Sequence, residues 1–214
     1  MKMKSFIWSV AEVHVLVAKN SQLKNLVTLS LADSALGDVD VWTMLPFLQN
    51  LKCLDLSGKF GDNYHDERNS LLTDSGLEAI ACSCPHLQSL DLSYQRQGTI
   101  SGVRTLLDKC SDLVELDAAN LQIGVQHVVE ILGRKNKLIF FGCSEVPASQ
   151  QFIVQNAIVG TGGRTIVGNG MFGPIEVTLP KNKQKNRDRS MAKMTKAHEQ
   201  QSDPNCYNKW DGVL

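Results

Sequence analysis

Leucines recur through the first two thirds of the chain in a fixed polar frame. "LVTLSL" begins at Leu26, "LKCLDL" at Leu51, "LQSLDL" at Leu87, "LVELDA" at Leu113 and "LIFFGC" at Leu138. All follow L-x-x-L-x-L, loosely in the last two. Successive first leucines lie 25, 36, 26 and 25 residues apart, so one period governs the series and one link carries about ten extra residues. Alternation within each hexamer predicts a short strand. After each hexamer the apolar positions change to helical spacing. Leu77, Ile80 and Ala81 follow the cap candidates Thr73 and Asp74. Val103, Leu106 and Leu107 follow Ser101. Val125, Val128, Val129 and Leu132 form a third set, and Val41, Leu45 and Leu48 a first, with Pro46 bending that helix near its end.

A strand–turn–helix unit of about 25 residues cannot bury its leucines alone, but stacked on copies of itself it can. Parallel strands then share backbone hydrogen bonds and the helices close the other face. Each interior leucine contributes roughly 1.5–3 kcal/mol. The predicted fold is therefore α/β: a short leucine-rich-repeat solenoid with an inner parallel β-sheet, outer α-helices and a C-terminal extended tail. Residues 1–22, containing "FIWSVAEVHVLVA", are expected to form an N-terminal capping helix. Residues 23–147 form an array of about five repeats, 148–179 a C-terminal cap and 180–214 an extended polar, basic tail. Within the cap, "PASQQFIVQNAI" predicts a last helix. "NAIVGTGGRTIVGNG" reads either as a glycine-rich strand pair or as a degenerate last repeat.

With Leu54 and Leu56 facing inward, Cys53, Asp55 and Ser57 face out. The same alternation turns out Thr28, Ser30 and Ala32; Ser89, Asp91 and Ser93; Glu115, Asp117 and Ala119; and Phe140, Gly142 and Ser144. Asp55, Asp91 and Asp117 then stand in a column at strand spacing, about 4.8 Å. At that spacing each adjacent pair repels by roughly 0.9 kcal/mol in water before screening.

"LTDSGLEAIACSCPHLQSLDLS", Leu72 to Ser93, resembles the cysteine-containing class of leucine-rich repeats known from F-box leucine-rich proteins, roughly L-T-D-x-G-L-x-x-[IL]-A-x-x-C-P-x-L-x-x-L-D-L-S. Period and pattern extend the likeness to about Leu23–Pro147. The resemblance implies a ribonuclease-inhibitor-like solenoid that binds other proteins. It also makes L-D-L-S part of the repeat itself, so the aspartate column has a structural reading beside that of an acidic stripe for a basic partner.

The same segment places Cys82, Cys84 and His86 within five residues. Cys84 sits three residues before Leu87, and Cys110 three before Leu113. That slot holds Leu23 and Leu48 in earlier repeats and Lys135 in the last, which marks it as a packing position. A zinc site wants four ligands in recognisable pairs, and C-x-C has no second pair nearby. Cys84 and Cys110 are thus expected as buried, metal-free thiols, with His86 pointing outward.

Composition narrows the function classes. Apolar residues make up 43% and charged residues 21% of 214, and the formal net charge is zero, so no global field draws the chain to nucleic acid or membrane. Six cysteines are too few for a disulfide framework at this length, and the chain has no Asn-x-Ser/Thr site. A reducing intracellular compartment is expected, the cytoplasm ahead of an organelle. No apolar run approaches the ~18 residues of a membrane span. Lys181 to Lys196 carries seven basic side chains, Lys183, Arg187 and Arg189 among them, against Asp188 alone. That stretch offers contact with nucleic acid or an acidic surface, though without interleaved aromatics for base stacking. Further on, Tyr207 and Trp210 are large anchors through which the tail is expected to dock on a partner. The insertion "KFGDNYHDERNS", with His65, reads as a solvated loop placed for partner contact. "GNGMFG", Gly168 to Gly173, precedes a proline and strand-like "IEVTL" rather than a helix, so it is not a dinucleotide site.

No catalytic, cofactor-binding or metal-ligating set emerges. The expected function is non-catalytic protein binding, as an adaptor or structural subunit of a larger complex, with no cofactor and no indicated homo-oligomer. The candidate partner contacts are Asp55, Asp91, Asp117, His65, Lys183, Arg187, Arg189, Tyr207 and Trp210. A ribonucleoprotein or organellar-complex subunit that meets nucleic acid through residues 181–196 is the second reading. F-box relatives use such repeats to hold substrates for ubiquitin ligation, so the third is the substrate-recognition part of a ubiquitin ligase, with no F-box expected ahead of Leu23.

Overall fold

Why the leucines repeat is visible in how the strands pair. The computed structural model describes residues 25–32, 34, 36–58, 71–134, 137–144, 146–161 and 165–168. Six three-residue strands form one parallel sheet in sequence order: β1 (Thr28–Ser30), β2 (Cys53–Asp55), β3 (Ser89–Asp91), β4 (Glu115–Asp117), β5 (Phe140–Gly142) and β6 (Ile166–Gly168). The register aligns Leu29, Leu54, Leu90, Leu116, Phe141 and Val167 across the sheet. The first five are the second leucine positions of the hexamers, Val167 takes the same place beyond them, and all six side chains are buried. The third positions, Leu31, Leu56, Leu92, Ala118 and Cys143, are buried beside them. The two looser hexamers therefore keep the core pattern, with the smaller Ala118 and Cys143 at the third position and the larger Phe141 at the second position of the last.

The helices lie on the other side of that core: α1 (Asp38–Met44), α2 (Asp74–Ser83), α3 (Ile100–Lys109), α4 (Val125–Gly133) and α5 (Ala148–Gly160). A 3-10 turn, Leu45–Phe47, continues α1 where Pro46 sits. The molecule is a leucine-rich-repeat solenoid. The sheet runs past 147, where the hexamer pattern stops: α5 and β6 add a further strand in parallel register with β5. Of the two readings of the glycine-rich segment, the degenerate repeat is the one the fold adopts. The N-terminal capping helix expected over 1–22, the insertion at 59–70 and the tail from 180 lie outside the described residues. No described helix is long and apolar enough to cross a membrane.

The polar residues of the repeat tie one unit to the next. Thr73 caps α2, its hydroxyl accepting from the Ser75 N–H at 3.2 Å, and Thr99 caps α3 in the same way at 3.1 Å from Ser101. Each capping threonine is itself held by an aspartate one repeat back. Asp38 accepts from the Thr73 N–H at 2.8 Å and its hydroxyl at 2.6 Å; Asp74 does the same for Thr99 at 2.7 and 2.6 Å. These carboxylates open α1 and α2, where the helix dipole favours negative charge. Gly76 and Gly102 leave room for this contact: a methyl group on Gly76 would meet the Asp38 carboxylate and Leu72, and one on Gly102 the Asp74 carboxylate and Leu77. The ladder stops at α3, whose first residue is Ile100. Beyond it, ion pairs join the helices, Arg104 clamping Glu130 at 2.7 and 2.6 Å and Arg134 reaching Asp108.

Candidate functional site

Cys82, Cys84 and His86 do not converge. Cys82 is exposed on α2 and accepts from Lys109 Nζ at 3.0 Å. Cys84 is fully buried, and its thiol donates to the Leu48 carbonyl at 3.9 Å. His86 lies at the surface, 3.6 Å from Asp112, which Lys137 also holds at 2.9 Å. Among the described residues no group of three or more His, Cys, Asp or Glu side chains is placed to hold a metal ion.

The thiols form a chain of contacts of their own. Leu48, Cys84 and Cys110 occupy the same slot in three successive repeats, each just after a helix. Cys84 donates to the carbonyl of Leu48, and Cys110 to the carbonyl of Cys84 at 3.5 Å. Helix ends leave carbonyls short of partners, and a thiol is small enough to fill the slot and still offer one weak donor. Burial pushes the Cys84 thiol up to about 12 and Cys110 up to about 11, so both stay protonated donors at neutral pH. Cys143 repeats the device beside β5, donating to the Gly168 carbonyl at 3.2 Å, with its pKa at about 12 from burial. Replacing Cys84 or Cys110 with alanine is expected to cost about 1–2 kcal/mol. Thermal unfolding with and without a chelator checks this: the midpoint drops in the variants, and chelator leaves the wild type unchanged. Stoichiometric zinc in the purified protein would overturn it.

The concave face is the surface of the sheet turned away from the helices. One column across it reads Ser30, Asp55, Asp91, Asp117 and Gly142, as the register requires. The neighbouring column reads Thr28, Cys53, Ser89, Glu115 and Phe140. Three carboxylates therefore stand on adjacent strands, each only partly exposed. Every one has a local task. Asp55 Oδ1 accepts from the Ser57 N–H at 3.0 Å and its hydroxyl at 2.7 Å, and Oδ2 from the Ser30 hydroxyl at 2.9 Å. Asp91 Oδ1 accepts from the Ser93 N–H at 2.8 Å, and Asp117 Oδ1 from the Ala119 N–H at 3.0 Å. This explains L-D-L-S physically: the aspartate holds the turn by which the chain leaves the strand.

That task uses Oδ1 of Asp91 and of Asp117, and Asp91 also takes a side-chain hydrogen bond from Ser93. The environment resists their charge. Burial, and behind it the charges of Asp117 and Asp55, push the Asp91 carboxyl up to about 6, against the pull of the Ser93 hydrogen bonds. Burial also raises Asp117, partly offset by the Ala119 N–H. Asp117 leans toward β5, where Gly142 leaves it space that any side chain would fill. Beyond Asp117 the face turns apolar, with the Phe140 ring lying against Gly168. Sequence alternation identifies the column, but the lean over Gly142 and the Ser30–Asp55 hydrogen bond depend on contacts between repeats.

His65, Lys183, Arg187, Arg189, Tyr207 and Trp210 lie outside the described residues. No protein-family model matches the chain, and no curated protein matches it in sequence. Among solved structures, the C-terminal domain of tropomodulin from Caenorhabditis elegans is similar over 73% of this chain and 95% of that one, at 14% identity and a TM-score of 0.48. Actin-binding site 2 of leiomodin-1 is similar over 87% of this chain and 96% of that one, at 16% identity and a TM-score of 0.47. Identity this low transfers no residue role to this chain.

Proposed function

We propose that this chain is a non-catalytic protein-binding module whose concave face receives a basic segment of a partner along Asp55, Asp91 and Asp117. The observation that carries the reading is the column of three partly exposed carboxylates in register on adjacent strands, two of which, Asp91 and Asp117, hold their charge against burial. An amide at either position would accept the same turn N–H without desolvating a charge or repelling its neighbours. The carboxylates thus provide what the turn does not need: three negative charges within about 10 Å on a rigid sheet. A lysine or arginine docked there relieves the repulsion that the free protein carries, and this differential supports binding. The remaining described aspartates have other work: Asp38 and Asp74 in the capping ladder, Asp40 on the Gly37 N–H, and Asp108 and Asp112 in ion pairs.

The test compares the full chain with its Asp91→Asn/Asp117→Asn variant, which keeps both turn acceptors. Binding of a short oligolysine peptide, followed by fluorescence anisotropy at low and physiological salt, reads the face directly. The expected result is a loss of about tenfold in the variant at low salt, shrinking as salt screens the wild type. Equal affinity of the two proteins at both salt concentrations would remove the concave face from the proposal. Purification from the native source at low and high salt, with the co-eluting proteins identified, then names the partner.

A further inference from the structure

The concave face changes character at its C-terminal end. In the column Thr28, Cys53, Ser89, Glu115 and Phe140, the first four side chains are small or polar and the fifth is an aromatic ring. The core side of β5 is filled by Phe141, which is fully buried. Phe140 stands on the opposite face of the strand and keeps part of its surface exposed.

Two glycines decide how that ring lies. Gly142 and Gly168 are in register on β5 and β6, about 4.8 Å apart. The Asp117 carboxylate leans from β4 over Gly142. The Phe140 ring leans over Gly168, where its Cζ and Cε2 atoms would stand 2.9 and 3.0 Å from a methyl group added to that glycine. A side chain at either glycine would lift the group above it off the sheet. With both positions bare, the carboxylate and the ring lie beside each other over adjacent strands. Glu115, in register with Phe140, adds a second carboxylate next to the ring on β4.

Such a platform discriminates between cations. An ammonium is a compact, strongly hydrated point charge that gains mainly from the carboxylate. A guanidinium is flat and delocalised, so it can donate to a carboxylate along one edge and keep its face on an aromatic ring. Asp117 is already partly desolvated by the fold, which strengthens its attraction for a cation.

We propose that this end of the concave face reads arginine: Asp117 pairs with the guanidinium of a partner's arginine and Phe140 stacks on it, so the module selects arginine-bearing over lysine-bearing segments. The proposal rests on the basic partner inferred above and adds which basic side chain the face prefers. Charge complementarity calls for a cation here, and the ring beside the carboxylate calls for a flat one.

Oligoarginine and oligolysine peptides of equal length are titrated by fluorescence anisotropy at physiological salt. The proteins are the full chain and its Phe140→Leu, Phe140→Tyr and Asp91→Asn/Asp117→Asn variants. The wild type is expected to bind oligoarginine about 5–10-fold more tightly than oligolysine. Phe140→Leu stays apolar but lacks a π face, and it is expected to bring that ratio down to about twofold or less by losing affinity for arginine alone. Phe140→Tyr is expected to keep the ratio. Should Phe140→Leu fail to fold, Phe140→Met takes its place in the comparison. A wild-type ratio near one, or a ratio that survives removal of the ring, would overturn the arginine site. The basic-partner reading would still stand in that case if both peptides bind the aspartate variant more weakly. Peptides that bind the aspartate variant as tightly as the wild type would remove that reading, and the arginine site with it.

Discussion

Leu90→Asp is expected to abolish cooperative folding. Leu90 lies at the centre of β3, 1% exposed, in register with Leu54 on one side and Leu116 on the other. The substitution removes roughly 1.5–3 kcal/mol of hydrophobic burial and places a carboxylate where no described donor can pair with it. In a solenoid the damage spreads, because each repeat is stable only while its neighbours are folded against it. With β3 lost, Leu29 and Leu54 face one fragment and Leu116, Phe141 and Val167 another, and neither has the rest of its core. Circular dichroism on heating is expected to show no sharp transition in the variant. Leu90→Met, which keeps volume and polarity, is expected to stay within about 1.5 kcal/mol of wild type. A Leu90→Asp protein that melts at the wild-type midpoint would place Leu90 outside the core and break the register on which the whole array depends.

The same register explains how much of this structure the sequence made legible. A period of about 25 residues with leucine at fixed offsets leaves few arrangements, since a one-residue slip would turn Leu54, Leu90 and Leu116 toward solvent together. The strands, the helices after them and the outward aspartates follow from that constraint. β6 was harder to read because the segment around Val167 has no leucine, and in the stack valine fills the position as well as leucine does. The capping ladder shows a different limit. Thr73 and Asp74 are both readable as cap residues, but Thr73 caps its own helix while Asp74 holds the Thr99 of the next repeat, 25 residues away. Nothing in a single repeat distinguishes the two roles; they appear only when units are stacked. The thiol chain follows the same logic. The slot shared by Leu48, Cys84 and Cys110 reads as packing, and the hydrogen bonds to the preceding repeat become visible only once each helix end is set beside the next. At the concave face the column was legible because alternation fixes direction. The cost of its charge was not, because that cost comes from burial and from neighbouring strands.

That cost leads to a prediction in which fold and function pull apart: Asp91→Asn is expected to make the free protein more stable at neutral pH while weakening its hold on a basic partner. The Asp91 carboxyl sits at about 6, above its ordinary 3.8. Between about pH 4 and pH 6 the folded chain therefore binds a proton that the unfolded chain has already released. By linkage, the stability this group contributes is fully present below the unfolded pKa and is lost as pH rises through 6. Asp55 on β2 and Asp117 on β4 stand on either side of it and raise it further, while Ser93 pulls it down. Asparagine keeps an acceptor for the Ser93 N–H and carries no charge, so the variant escapes the loss. The expected gain above pH 6 is about 1–3 kcal/mol, or several degrees in midpoint, with wild type and variant converging near pH 4. Thermal melts at half-unit steps from pH 4 to pH 8 check the difference curve, which isolates Asp91 from the other carboxylates that titrate in the same window. A variant less stable than wild type at pH 7 would show that the charged acceptor strengthens the Ser93 turn by more than its burial costs. The aspartate would then be explained by the turn alone, and the column would lose its claim as a binding surface. A more stable variant with weakened binding would mean that the chain keeps a charge its fold does not need, and that the partner is what the charge is for.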